Sequence, residues 1–97
     1  MASIAVTRHA REELRALTAA LRLPKDTRAR VSRSLTTVEQ FPRSGTPLGG
    51  IWRDCRAIVG PWGWLLIVYL YIEAEDQIVV IAFRDGRSGS SVMTSGE

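Results

Sequence analysis

Arg53, Arg56, Arg84 and Arg87 are the residues of this chain best placed to act on a partner, two in one alternating stretch and two at the end of another. A guanidinium stays protonated and grips phosphate or carboxylate through a planar fork of N–H donors. The set therefore offers anion binding but no proton transfer. Tyr69, Tyr71 and Asp85 are the titratable side chains that stand nearby, and each also has a structural reading, as a core aromatic or a turn residue. His9 falls at the start of an expected helix and reads as a surface side chain. Cys55 sits in an apolar context and reads as a small core residue. One cysteine excludes an internal disulfide, and with one histidine it excludes a Cys/His zinc site, so no metal or cofactor is expected.

Charge is placed unevenly. Residues 1 to 47 hold nine Lys/Arg against four Asp/Glu, whereas residues 48 to 97 hold four against six. A basic first half favours an acidic partner such as nucleic acid or an acidic protein segment, although a solvated basic helix produces the same count. Ninety-seven residues with 45% apolar content make one small two-layered domain, taken as residues 1–87, followed by a flexible tail over 88–97 with too few apolar residues to order itself. No run approaches the roughly 20 apolar residues that cross a bilayer, and no signal peptide is evident, so a cytoplasmic protein without membrane contact is expected.

The elements that must carry these residues centre on two apolar runs. Residues 64–72 and 78–83 are rich in β-branched and aromatic types, and the short acidic stretch 73–77 between them suits neighbouring antiparallel strands. Ile4 and Val6 alternate in a short N-terminal strand. Thr7 offers an N-cap for a helix from about Arg8 to Leu21, with Ala10, Leu14, Leu17 and Leu21 at helical spacing and Arg8 and Glu12 one turn apart. A second helix runs from about Pro24 to Gln40, where Phe41 and Pro42 stop it, and buries Val31, Leu35 and Val38. The short link makes the helices an antiparallel hairpin lying on the sheet. Residues 42–50 form a long loop dense in turn formers. Residues 51–59 alternate as a strand, with Arg53, Cys55, Ala57 and Val59 toward the helices and Arg56 on the open face. The fold class is α+β: a short N-terminal strand and a two-helix hairpin packed on an antiparallel sheet of about four strands.

This order of elements, with Phe41-Pro42-Arg43-Ser44-Gly45 after the second helix, Arg56 on the next strand, Gly60-Pro61-Trp62 at the following turn and Asp85-Gly86-Arg87 closing the last strand, resembles the RelE/ParE toxin superfamily over about residues 4 to 87. The resemblance implies a small cytoplasmic toxin of a type II toxin–antitoxin pair, held inactive in a hetero-oligomer by its cognate antitoxin. RelE-type toxins cut messenger RNA on the ribosome, and ParE-type toxins inhibit DNA gyrase. Metal-independent RNA cleavage needs a base for the ribose 2′-OH, positive charge for the phosphorane and an acid for the 5′-oxygen. Arg53 and Arg56 match the family's basic strand residues, and Arg84 and Arg87 match its basic last strand. Where many members carry Arg three residues before the central-strand Tyr, this chain has Leu66 before Tyr69, or Val68 before Tyr71; where His often precedes the Gly-Arg pair, it has Asp85. With acid and base unassigned beyond Tyr69, Tyr71 and Asp85, the expectation is a ParE-like gyrase inhibitor that acts by binding. The alternatives are a RelE-like messenger RNA endoribonuclease and a non-toxic interaction scaffold. An antitoxin segment is expected on the open face or edge of the sheet, which two helices leave uncovered.

Overall fold

Thr7 decides where the first helix begins. Its backbone is extended and its hydroxyl accepts the Ala10 N–H at 3.1 Å, so β1 (Ser3–Val6) gives way to α1 (Arg8–Leu21) at that residue. The helix ends where Arg22 turns left-handed and the Arg22 and Leu23 N–H groups both bond to the Thr18 carbonyl. The computed structural model describes residues 2–87; the expected tail over 88–97 lies outside the described residues. The second helix, α2 (Thr27–Gln40), starts three residues later than the sequence suggests, because Pro24 sits in the connecting turn, where its carbonyl accepts both the N–H and the hydroxyl of Thr27. Then follow β2 (Thr46–Pro47), a 3-10 turn over Gly50–Trp52, β3 (Arg56–Val59), β4 (Leu65–Ile72), a second 3-10 turn over Glu73–Glu75 and β5 (Gln77–Asp85).

The five strands form one sheet in the order β1-β5-β4-β3-β2. β2, β3, β4 and β5 pair antiparallel, while β1 runs parallel to β5 because the helical hairpin carries the chain across one face before it returns. The α+β arrangement of short strand, two helices and sheet stands as expected, with β2 added at the edge.

The helix-side core gathers Ala10, Val31, Leu35, Val38, Leu65, Ile67, Tyr69, Ile78, Val80 and Phe83. Leu65, Ile67, Tyr69, Ile78 and Val80 are fully buried, and each such aliphatic side chain contributes about 1.5 to 3 kcal/mol relative to exposure. Leu14 and Leu17 are only half-buried and Leu21 is exposed, because each helix leans on the sheet and neither packs closely along the other.

The expected strand over 51–59 forms only at its end. Residues 50–52 make the 3-10 turn, and the segment from Leu48 to Cys55 folds over the sheet face that the helices leave bare. There Leu48, Trp52 and Cys55 pack on Ala57, Val68, Leu70, Ile81 and Ala82, forming a second small core. The faces of β3 are therefore the reverse of the expectation. Cys55 and Ala57 look away from the helices, and Ile58 packs on the helix-side core with Arg56 on the same side.

Candidate functional site

A single irregularity in β5 decides where the cationic side chains go. Val80 pairs with Tyr69 and Ala82 with Val68, so Ile81 is an extra residue, a β-bulge. Val80 faces the helices, and unbroken alternation would put Ala82 and Arg84 there too. The bulge shifts the pattern by one: Phe83 enters the helix-side core, and Arg84, opposite Leu66, turns to the other face. On that face the Arg84 guanidinium carbon lies 5.9 Å from the centre of the Trp52 ring, within the range of cation–π attraction.

β5 outruns its neighbour β1, whose last pair is Val6 with Val80. Beyond that point the edge of β5 is covered by α1. Glu13 accepts the Phe83 N–H at 3.1 Å through Oε1, while its Oε2 lies 3.4 Å from Arg84 Nε and 3.4 Å from His9 Nε2. The Arg84 contact is an ion pair without hydrogen-bond alignment, and that buried Nε has no hydrogen-bond partner. Glu13 is thus a half-buried carboxylate anchored by backbone, with an arginine and an exposed histidine on one oxygen. Sequence reasoning passed over Glu13 and read His9 as surface. Their i,i+4 spacing was the available signal, but Arg84, distant in sequence, gives it meaning.

The other expected site residues separate into two further places. Arg56 Nη1 donates to the carbonyls of Arg43 at 3.1 Å and Gly45 at 2.9 Å. Beside it the Tyr69 hydroxyl donates to the Pro42 carbonyl at 2.7 Å and accepts the Gly45 N–H at 2.9 Å. Together they pin the turn after α2 to the sheet. Burial raises the Tyr69 phenol above its ordinary value, against the opposing pull of the Gly45 N–H and the nearby Arg56 charge. Gly45 has no room for a side chain, since a Cβ there would lie 2.6 Å from the Tyr69 hydroxyl oxygen.

Arg87 and Asp85 lie at the far end of β5. Arg87 Nε and Nη2 each bond to an Asp85 oxygen at 3.1 Å, and its N–H adds a third bond at 2.9 Å. These bonds hold the Asp85 carboxyl below its ordinary value. The Arg87 guanidinium also stacks 4.5 Å from the Trp64 ring centre, and Trp64 stacks on Trp62 at 5.7 Å. Tyr71 bonds through its hydroxyl to Asp76 at 2.7 Å, which raises its phenol, and carries Arg43 over its ring. Arg53 is exposed immediately after Trp52 on the covering segment. Burial, with the Asp54 charge, raises the Cys55 thiol, as befits a core side chain.

A separate surface opens between the helices. Ile4, Val6, Leu14, Val31, Leu35 and Phe83 line a cleft of about 460 Å³ that continues into a second of about 520 Å³, with Arg11, Arg15, Lys25 and Arg28 around them.

The arrangement of strands and helices is shared with solved toxins. A chain of the intact E. coli RelBE toxin–antitoxin complex matches with a TM-score of 0.62 at 20% identity, over 91% of this chain and 100% of that one. The isolated E. coli RelE toxin matches with a TM-score of 0.66 at 20% identity, over 95% of this chain and 93% of that one. The chain has the RelE/ParE fold. A substituted E. coli RelE bound to an antitoxin RelBc peptide gives the same TM-score of 0.66 at 20% identity, over 99% of this chain and 94% of that chain. No protein-family model and no curated protein matches the sequence. Among the described residues, no helix is long and apolar enough to cross a membrane.

Proposed function

We propose that this RelE/ParE-fold chain is the toxin of a toxin–antitoxin pair, that it acts in the cytoplasm and that it cuts messenger RNA on the ribosome. The observation that carries the reading is the placement of Arg84. The Ile81 bulge turns this side chain out of the helix-side core to the edge of the sheet, between the Trp52 ring and Glu13 of α1, where it keeps 35% of its surface exposed for a phosphodiester. In the RelE-type site basic strand residues stabilise the phosphorane, and solved structures that resemble this chain include the RelE toxin. Arg84 takes that role, with exposed Arg53 as a second cation from the covering segment. Arg56 and Tyr69 serve as scaffold.

Gyrase inhibition is the second reading. It draws support from Arg87, which spends its donors on Asp85 and so resembles a rigid recognition surface more than a charge waiting for a transition state. The antitoxin is expected to bury the cleft between α1 and α2, where an apolar floor ringed by Arg11, Arg15, Lys25 and Arg28 complements an acidic amphipathic segment. This seat replaces the open face, which the chain's own Leu48, Trp52 and Cys55 partly cover.

The test pairs a ribosome-programmed messenger RNA cleavage assay with a gyrase supercoiling assay. Wild type should cut within the message, and Arg84→Ala should lower the rate by about 100- to 1000-fold, the usual cost of one oxyanion-stabilising donor. Supercoiling blocked with no cleavage would establish the gyrase reading instead. Expression without growth arrest would leave only a non-toxic scaffold.

A further inference from the structure

We propose that His9 is the proton acceptor of this site and that Glu13 is the residue that positions it, an inference that rests on the ribonuclease reading. The two are one turn apart on α1, with His9 Nε2 3.4 Å from Glu13 Oε2. The contact has ion-pair range without hydrogen-bond alignment, so Glu13 faces the Nε2 side of the ring with its charge and leaves Nδ1, the other nitrogen, uncommitted. Glu13 does not belong to a casual surface pair. Its side chain is 19% exposed and is fixed by the Phe83 N–H of β5, whereas the His9 side chain is 72% exposed and open to a ligand.

Arg84 makes the pair a site. Its Nε lies 3.4 Å from the same Glu13 oxygen that faces His9, so the phosphate-binding cation and the free base share one carboxylate at the edge of the sheet. Glu13 is the charged group that faces His9, and Arg84 from β5 reaches the pair through the same Glu13 oxygen. A phosphodiester held by Arg84 brings its ribose within reach of α1.

The step balances as follows. His9 Nδ1 takes the 2′-hydroxyl proton while the 2′-oxygen bonds to phosphorus. The P–O5′ bond breaks, its electron pair leaves on the 5′-oxygen, and that oxygen takes a proton from water. The products are a 2′,3′-cyclic phosphate and a 5′-hydroxyl, and the imidazolium returns its proton to the hydroxide. Glu13 steadies the imidazolium in between. This supplies the proton acceptor that the arginines lack.

The experiment uses the full chain on programmed ribosomes and compares wild type, His9→Ala and Glu13→Gln, with free imidazole added to each. General-base removal typically costs about 100- to 10,000-fold. His9→Ala should lose cleavage on that scale at unchanged melting temperature and regain it in imidazole, because the exposed position admits the small base. Glu13→Gln, which still accepts the Phe83 N–H, should fold and lose part of kcat with no response to imidazole. His9→Ala cutting at the wild-type rate, or a loss that imidazole leaves untouched, overturns the inference and spares the ribonuclease reading. A wild type that cuts no message overturns both.

Discussion

Tyr69→Phe removes one oxygen from a fully buried ring and should reveal whether this tyrosine is scaffold or chemistry. That oxygen accepts the N–H of Gly45, which is buried, and donates to the carbonyl of Pro42, which is partly exposed. Deleting it strands the Gly45 N–H, at about 1 to 3 kcal/mol for a buried unsatisfied donor, and frees a carbonyl that water can reach, at about 0.5 to 1 kcal/mol. The sum is about 1.5 to 4 kcal/mol. For a domain of this size each kcal/mol corresponds to roughly 4 to 8 °C in Tm, so the variant should melt at least about 6 °C lower. Urea unfolding should show the midpoint falling with the slope unchanged, since the native surface is not otherwise altered. A loss below about 0.5 kcal/mol would refute the pinning of the 42–45 turn. An intact Tm with abolished cleavage would assign Tyr69 to catalysis instead.

Two further outcomes follow from the same core. Leu35 is 6% exposed on the buried stripe of α2, and Leu35→Ala should cost about 2 to 5 kcal/mol by calorimetry; a shift of a degree or two would mean that α2 bears little on the sheet. Because burial raises the Tyr69 phenol in the folded state, its contribution is complete below the unfolded tyrosine value of about 10 and is lost as pH rises through the higher folded value. Denaturation midpoints of wild type should therefore fall at alkaline pH more steeply than those of Tyr69→Phe, and parallel curves would contradict the assignment.

The helices and central strands were legible because their signals are local. Thr7 caps α1 where an N-cap residue meets helical spacing, and the β-branched runs of β4 and β5 leave no competing conformation. The sequence also supplied every arginine of the site, but it could not say which face each would take. Residues 51–59 are apolar in both alternating sets, with Cys55, Ala57 and Val59 in one and Trp52 and Ile58 in the other, so a period of two carries no preference. The tertiary structure settled the matter by folding the segment from Leu48 to Cys55 over the bare face of the sheet, which sends Arg56 to the helix side to hold two carbonyls.

Arg84 depended on a second such event. One unpaired residue, Ile81, reverses every side chain that follows it, and no local pattern marks it because Val80, Ile81, Ala82 and Phe83 are all apolar. The meeting of Arg84 with Glu13 and His9 then arises because β5 runs past β1 and needs cover for its edge, which the nearest helix provides with a carboxylate. Residue types and helical spacing are properties of the chain, whereas the face of a strand and the partner of a charge belong to the packed sheet.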